Sequence, residues 1–248
     1  MIVKELFHDV HIFGNTCDPG YELMQNMTSN DNGRQEAALK RFTSPEWADF
    51  INNYFGDPYY AWHDGIDENT ILHLTNPEEK RVAEDMLIAA LPGGMNAARG
   101  LALMHSERAI SALEKALEVK ELDNVRVRII DALEQITHSG RHVQDLIECL
   151  QQGIDYETRM NAARALGNFR TPAVIDALLA AVADREYLVR YHACNALLSM
   201  HGFTTDISEH DDIFANILQG VPKSKFDVAK VLLQALLASK KLRKKRIK

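Results

Sequence analysis

Two short segments carry side chains of the kinds that bind metal ions. His8, Asp9 and His11 lie together near the start of the chain, and residues 209–212 read EHDD. Imidazole nitrogens and carboxylate oxygens are ordinary zinc ligands. Because neither segment has a second group of such residues nearby in sequence, we interpret both as solvated or helix-capping residues. We therefore predict no metal site and no cofactor.

The sequence lacks the common motifs of catalytic sites. It contains no glycine-rich phosphate loop and no GxSxG nucleophile turn. His138 and His142 do not form an HExxH helix, since Ser139 and Gly140 between them indicate a turn. We predict no catalytic residue and expect a binding protein rather than an enzyme.

The three cysteines indicate neither a disulfide framework nor a reactive thiol. Cys17, Cys149 and Cys194 show no paired spacing, which suits a reducing compartment, and we expect a cytoplasmic protein. Asp18 disfavours a thiolate at its neighbour Cys17. His192 and Cys194 are two positions apart on a predicted helix, so their side chains point in different directions.

Helices must position whatever functional residues the chain has. From about residue 78, apolar residues recur three and four apart, which is the helical period. The pentapeptide MNAAR occurs at residues 95–99 and again at 160–164, and alignment of similar segments places four leucines in register: Leu101, Leu133, Leu166 and Leu197. Their spacings of 32, 33 and 31 residues predict an array of helical hairpins. Each unit reads as a helix, a short turn with an aspartate, and a second helix.

The segment ALGNFRTPAVIDALLAAVADREYLVRYHACNALL, residues 165–198, resembles the HEAT-like repeat, of the short variety also found in phycobilin lyases. The resemblance implies an all-α, right-handed solenoid of about five hairpins, near residues 78–104, 108–137, 141–169, 172–201 and 209–239. It also implies a ladder between neighbouring repeats, in which an aspartate of the turn meets an arginine that opens the second helix. Asp184 and Arg190 match this spacing, whereas Asp155 with Arg159, and Asp123 with Arg126, match it more loosely.

A polar stripe is expected along the second helices. Each hairpin buries its apolar side only by stacking on its neighbours, so the second helices together line one extended concave face. Positions five and two before each register leucine, and two after it, lie away from the core or at its edge. We call these residues the concave stripe and predict that they bind a partner, although ordinary solvated positions would look similar. The twelve positions include Leu103 and Ser199, and the predicted binding residues are the other ten: Asn96, Arg99, Arg128, Asp131, Gln135, Asn161, Arg164, Asn168, His192 and Asn195.

Residues 1–77 differ from the rest of the chain in amino-acid composition, and we expect them to cap the solenoid. Residues 1–75 hold 11 of the 18 aromatic residues. Helical spacing of Trp47, Phe50, Tyr54 and Phe55 predicts an apolar helix that covers the first hairpin. A turn follows that carries aromatic residues beside acids, which is typical of recognition loops. We predict that this amino-terminal loop also binds a partner, through Tyr59, Tyr60, Trp62, His63 and Asp64.

Charge is distributed unevenly over these parts. The chain of 248 residues carries a net charge of -7, which divides into -8 for residues 1–75, -6 for residues 76–239 and +7 for the tail KKLRKKRIK, residues 240–248. An acidic body favours a basic partner through long-range steering. The tail is expected to be solvated and partly frayed, with nucleic acid or an anionic surface as a further partner. No apolar run approaches the ~18 residues of a membrane span.

These patterns predict a scaffold of three parts: an acidic, aromatic cap (1–77), a HEAT-like solenoid (78–239) and a basic tail (240–248). We expect non-enzymatic binding of another protein with a basic surface, as an immunity or adaptor protein would do. Two alternatives remain open, because such repeats serve several functions. The resemblance itself implies a bilin lyase. The tail and the concave arginines would suit a nucleic-acid binder or a helical-repeat DNA glycosylase.

Overall fold

The computed structural model describes residues 41–56, 65–91, 95–118 and 123–246, with side chains up to Ser239. This part of the chain is all-helical and contains no strand, as predicted. In chain order the helices are α1 (Pro45–Phe55), α2 (Thr70–His73), α3 (Pro77–Ala90), α4 (Met95–Leu103), α5 (Ile110–Ala116), α6 (Asn124–Thr137), α7 (Val143–Gln152), α8 (Tyr156–Leu166), α9 (Pro172–Ala181), α10 (Tyr187–Met200), α11 (Asp211–Phe214) and α12 (Ser224–Arg246). Short 3-10 helices at Glu107–Ala109 and Ile207–Glu209 precede α5 and α11.

The chain divides into two compact units, Met1–Val82 and Ala83–Lys248, and the division falls inside α3. In the first unit, α1 packs against α2. Ser44 caps α1 by accepting a hydrogen bond from the Trp47 amide at 3.1 Å, and Pro45 follows as the first helical residue. Trp47 and Phe50 are buried, with ring centroids 5.4 Å apart. Aromatic packing therefore holds α1 in place. That α1 caps the first hairpin stays a prediction.

Helix pairs build the second unit. α5 packs on α6, α7 on α8 and α9 on α10, within the predicted hairpin bounds. α11 packs on α12, which continues beyond the predicted bound at residue 239. The second helices also contact one another in a row, α4 on α6, α6 on α8 and α8 on α10. All four register leucines are buried. This arrangement confirms the prediction of a HEAT-like helical solenoid.

Aspartates in the turns start the second helices. Asp123 caps α6 by accepting a hydrogen bond from the Arg126 amide at 2.8 Å. Asp155 caps α8 in the same way, accepting from the Thr158 amide at 2.6 Å. A carboxylate satisfies amides that have no partner within the helix and also interacts favourably with the helix dipole. The repeated aspartate of the turn is thus a helix start signal.

The last helix is longer than the sequence suggested. α12 continues to Arg246, so most of the basic tail extends this helix instead of fraying at residue 240. Lysine, leucine and arginine are good helix formers, and cations near a helix carboxyl end are stabilised by the helix dipole.

Candidate binding surface on the second helices

Three residues of the concave stripe form a hydrogen-bonded chain across two neighbouring helices. Arg99 on α4 donates through Nη1 to Gln135 Oε1 on α6 at 3.1 Å. Gln135 in turn donates through Nε2 to Asp131 Oδ2, one helical turn earlier, at 2.8 Å. The second helices of the first two hairpins are therefore joined through stripe side chains.

Two more arginines lie near Asp131. Burial raises the pKa of the Asp131 carboxyl, while Arg99, Arg128, the Gln135 hydrogen bond and Arg164 act in the opposite direction. Arginines from α4, α6 and α8 therefore act on one carboxylate. We call Arg99, Arg128 and Arg164 the arginine cluster.

The members of the arginine cluster differ in their exposure and in their ion pairing. Arg164 is exposed, whereas Arg99 and Arg128 are half-buried. Among the carboxylates that the structure describes, none forms an ion pair with Arg128 or Arg164. Arg128 and Arg164 therefore differ from Arg126 and Arg159, which form ion pairs with Asp145 and Asp184.

Two other residues of the concave stripe already have partners within the fold. Asn161 is buried, and its Nδ2 donates to Asn124 Oδ1 at 2.9 Å. Asn195 donates through Nδ2 to Asp206 Oδ2 at 2.6 Å and accepts from the Ile207 amide through Oδ1 at 2.7 Å. Both amides hold neighbouring segments in place. The exposed amides of the stripe are Asn96 and Asn168.

Asp206 organises the loop that follows α10, a role that sequence reasoning missed. It accepts hydrogen bonds from Tyr191 at 2.7 Å and from Asn195, and it caps the 3-10 helix through the Ser208 amide at 2.8 Å. Burial alone would raise the pKa of the Asp206 carboxyl, but these hydrogen bonds outweigh it and lower the pKa. The spacing of Asp206 and Glu209, which complete a capping box, is the sequence signal that could have shown this.

His192 on α10 is influenced by both Arg164 and Asp206. Its ring meets that of Tyr191 edge-on, at 5.2 Å between centroids. Burial and the nearby Arg164 lower the pKa of the imidazole, and Asp206 opposes them. His192 is therefore neutral at neutral pH and adds a neutral polar group beside Arg164.

Arg159, from the predicted ladder, connects two hairpins. Its Nε donates to Asp184 Oδ2 at 2.8 Å, and its Nη2 donates to Asp184 Oδ1 at 3.2 Å. Its Nη1 donates to three carbonyls of its own turn, in residues 153–155, at 2.9 to 3.1 Å. One buried guanidinium thus binds both its own turn and the turn of the next hairpin.

Arg190 does the same through carbonyl groups, and no described carboxylate forms an ion pair with it. Its Nε and Nη2 donate to the carbonyls of Ile217 and Leu218 in the next hairpin, at 2.8 and 3.0 Å. Its Nη1 donates to the carbonyls of residues 184 and 185 in its own turn, at 2.8 and 3.0 Å. The guanidinium carbon also lies 4.5 Å from the centre of the Phe226 ring. Carbonyl dipoles and an aromatic face replace the carboxylate.

Arg126 completes the set. Its Nη1 donates to the Leu117 carbonyl of its own hairpin at 3.0 Å, and its Nη2 donates to Asp145 Oδ1 on α7 of the next at 3.1 Å. We call Arg126, Arg159 and Arg190 the connecting arginines, because each binds its own hairpin and the following one.

The remaining candidates either lie outside the described residues or hold the fold. Tyr59, Tyr60, Trp62, His63 and Asp64 of the amino-terminal loop lie outside, as do the histidines near residue 10 and Cys17. In residues 209–212, the Glu209 carboxylate accepts from the Asp206 amide, and His210 Nε2 lies 2.9 Å from Thr205 Oγ1. No group of three potential metal ligands occurs among the residues that the structure describes.

The two described thiols are both buried and free. Burial raises the pKa of Cys149 to about 11 and that of Cys194 to about 12, so neither is a thiolate at neutral pH. Within the described ranges, no helix combines the length and the apolarity needed to cross a membrane.

Two protein-family models match the chain, both within the solenoid. The model described as HEAT repeats matches residues 143–209, which include α7 to α10 and the Arg159–Asp184 pair. The model described as PBS lyase HEAT-like repeat matches residues 95–118, which include α4 and Arg99. None of the curated proteins compared matches the chain.

Proposed function

Because this chain contains HEAT-like repeats, we propose that it is a non-enzymatic scaffold that binds another protein along the concave stripe. The row of second helices carries this proposal. Its buried side holds the register leucines, and its polar side presents the arginine cluster from three consecutive hairpins. Residues on rigid, stacked helices offer a partner a fixed pattern of charge.

The connecting arginines differ from Arg164 in burial, and this difference supports the proposed function. Arg159 and Arg190 are buried and fully engaged with the fold. Arg164 belongs to the same helix as Arg159 but is exposed. We infer that exposed stripe residues such as Arg164 contact the partner, while the connecting arginines hold the hairpins in register.

The amino-terminal loop supports a finer proposal, namely a cytoplasmic immunity or adaptor protein whose partner has a basic surface. The support is the net charge of -8 over residues 1–75 and the aromatic residues that accompany it. The concave stripe does not share this acidic bias. If charge reversal at Asp57, Asp64 and Asp67 alters no interaction, the basic-partner proposal is lost.

Affinity capture from the native cell tests the general function. Wild-type protein is compared with the double variant Arg99→Glu and Arg164→Glu, and with the matched double variant Lys115→Glu and Arg170→Glu. Both variants change the net charge equally, but Lys115 and Arg170 are exposed residues outside the stripe. We expect the stripe variant to lose a partner that the control retains. Equal capture by both variants, with unchanged circular dichroism, would exclude the stripe as the binding surface.

The name of the family model at residues 95–118 favours one second candidate, a bilin lyase-like activity. Incubation with bilin and an acceptor subunit tests it. A change in the absorbance spectrum would support the candidate, and an unchanged spectrum would remove it.

Nucleic-acid binding is a third candidate, and the arginine cluster is the observation that favours it. Binding through the tail would weaken on truncation after Ser239, with a shallower salt dependence. An unchanged salt slope would exclude a role for the tail.

A further inference from the structure

The helix α12 has two apolar sides, of which one faces the core and the other faces away from it. The side toward the core is buried and consists of Phe226, Ala229, Leu233 and Leu237. The opposite side is exposed and consists of Val228, Val231, Ala235 and Ala238. Val231 is 65% exposed and Val228 is 44% exposed. We call these four exposed residues the outer face of α12.

This outer face differs from an ordinary solvated helix surface. Its residues follow one another at spacings of three, four and three, so they form a single stripe along the helix. Lysine, glutamate and glutamine favour helices more than valine does, and a side that meets only water would use them. In a stacked array of hairpins, an outer side that no neighbour covers is normally polar. The outer face therefore suits contact with apolar surroundings.

The same helix carries the most basic segment of the chain. Residues 240–248 hold seven lysines and arginines and no acid. Because α12 runs from Ser224 to Arg246, continuous helical backbone joins the outer face to residues 240–246. Residues 1–75 and 76–239 carry net charges of -8 and -6. One helix of an otherwise acidic chain thus combines an exposed apolar stripe with a cluster of cations.

The surface of an anionic lipid bilayer matches both features. Helices that lie on a membrane place apolar side chains at the boundary of the acyl chains and basic side chains among the headgroups. One lysine or arginine near an anionic leaflet strengthens binding about fivefold. The acidic remainder of the chain is repelled by the same leaflet, and this repulsion would turn α12 toward the membrane.

The outer face distinguishes a lipid surface from other partners. The phosphates of a nucleic acid would pair with the cations but leave Val228 and Val231 in water. A second copy of α12 could cover these valines, but it would add another basic tail instead of a counter-charge. A surface that is both apolar and anionic uses both features of the helix.

We propose that α12 docks on an anionic lipid bilayer, with its outer face at the boundary of the acyl chains and residues 240–248 among the headgroups. This inference goes beyond the proposed function and does not depend on it, since the concave stripe lies on α4, α6, α8 and α10. Docking would bring a protein bound along the stripe to a membrane. Because the outer face is small, attachment is reversible and weakens as salt screens the cations.

Co-sedimentation of the full chain with vesicles tests the inference. The vesicles contain phosphatidylcholine alone or phosphatidylcholine with about 30% phosphatidylserine. Wild type should sediment with the mixed vesicles and not with phosphatidylcholine alone. The double variant Val228→Gln and Val231→Gln should bind the mixed vesicles about tenfold more weakly. The matched control Ile154→Gln and Leu188→Gln, which changes two exposed apolar residues outside α12, should bind like wild type.

Removal of the tail tests the contribution of charge. Truncation after Ser239 should weaken binding to the mixed vesicles more than tenfold and make the remainder less dependent on salt. The substituted side chains are all exposed, so the double variants should fold like wild type, which circular dichroism checks. Equal vesicle binding by the valine variant and wild type would overturn the proposal, because the tail alone would then account for binding.

Two other results would assign α12 to a different partner. A dimer in light scattering that the valine variant converts to a monomer would overturn the proposal in favour of a second copy. Tighter binding of a single-stranded oligothymidine than of the mixed vesicles, unchanged in the valine variant, would overturn it in favour of nucleic acid.

Discussion

Arg159 and Asp184 form a two-point ion pair between neighbouring hairpins, with Nε–Oδ2 and Nη2–Oδ1 distances of 2.8 and 3.2 Å. The side chains are only 6% and 13% exposed. A buried charge without its partner is destabilising, so the pair makes each residue depend on the other. The two carboxylate oxygens of Asp184 match the guanidinium fork, which a lysine could not reproduce.

Removing the Asp184 carboxylate should therefore destabilise the solenoid. For Asp184→Ala we expect the free energy of unfolding to fall by about 3 kcal/mol, because Arg159 remains buried without its counter-charge. Urea denaturation measures this change. The exposed pair of Arg141 and Glu114 supplies the control, and Arg141→Ala should cost under about 1 kcal/mol. Equal losses from the two variants would show that burial does not increase the contribution of the Arg159–Asp184 pair to the free energy of unfolding.

Gly153 should not tolerate a side chain. A Cβ at this position would lie 2.6 Å from the Cys149 carbonyl oxygen and 2.7 Å from Thr158 Cγ2. Gly153→Ala should therefore lower the free energy of unfolding by about 2 kcal/mol, which thermal or urea denaturation would detect. Addition of Thr158→Ser removes the clashing methyl group and keeps the hydroxyl, so it should restore part of the loss. No recovery in the double variant would place the strain wholly at the Cys149 carbonyl.

Stability should depend on pH through His192. Burial and Arg164 lower the pKa of this imidazole in the folded state below the ordinary value of 6.5. Below that pH the unfolded state binds a proton that the folded state does not, so stability rises with pH through this window. Between about pH 7.5 and about pH 5.5, wild type should lose more free energy of unfolding than His192→Gln. Parallel pH profiles for the two proteins would refute this assignment.

The core thiols should be unreactive in the folded protein. Cys149 and Cys194 are buried, with pKa values raised to about 11 and about 12. In a Cys17→Ser variant, a colourless aromatic disulfide reagent should release no coloured thiolate from native protein and react with both cysteines after denaturation. Reaction of the native variant at the rate of a free thiol would show that α7 or α10 opens readily.

The hairpins could be predicted from sequence, because their signals are local. The register leucines repeat at an even period, and all four are buried. Prolines mark helix starts, as at Pro172, where Thr171 supplies the cap. These features depend on spacing within one hairpin, and the predicted hairpin bounds therefore agree with α5 to α10.

The partners of the polar residues could not be predicted, since they depend on how one hairpin sits on the next. Helical spacing assigns Asn161 and Arg164 alike to the concave stripe, but the neighbouring α6 buries Asn161 and leaves Arg164 exposed. Asn195 donates a hydrogen bond to Asp206, eleven residues later in the sequence. The loop between them has no periodic pattern from which this bond could be predicted. The grouping of three arginines around Asp131 likewise arises only from stacking.

Each connecting arginine binds an acceptor in the hairpin that follows it in sequence. The order of synthesis therefore determines when each hairpin gains its last contacts. A ribosome makes Arg126, Arg159 and Arg190, and the carbonyls of their own hairpins, before it makes the forward partners at Asp145, Asp184 and residues 217–218. Each hairpin is therefore completed by the one that emerges after it. A chain that stops near residue 205 leaves Arg190 without its forward acceptors at Ile217 and Leu218, while Arg126 and Arg159 keep theirs. Loss of α11 and α12 should accordingly expose the fourth hairpin to proteases and spare the second.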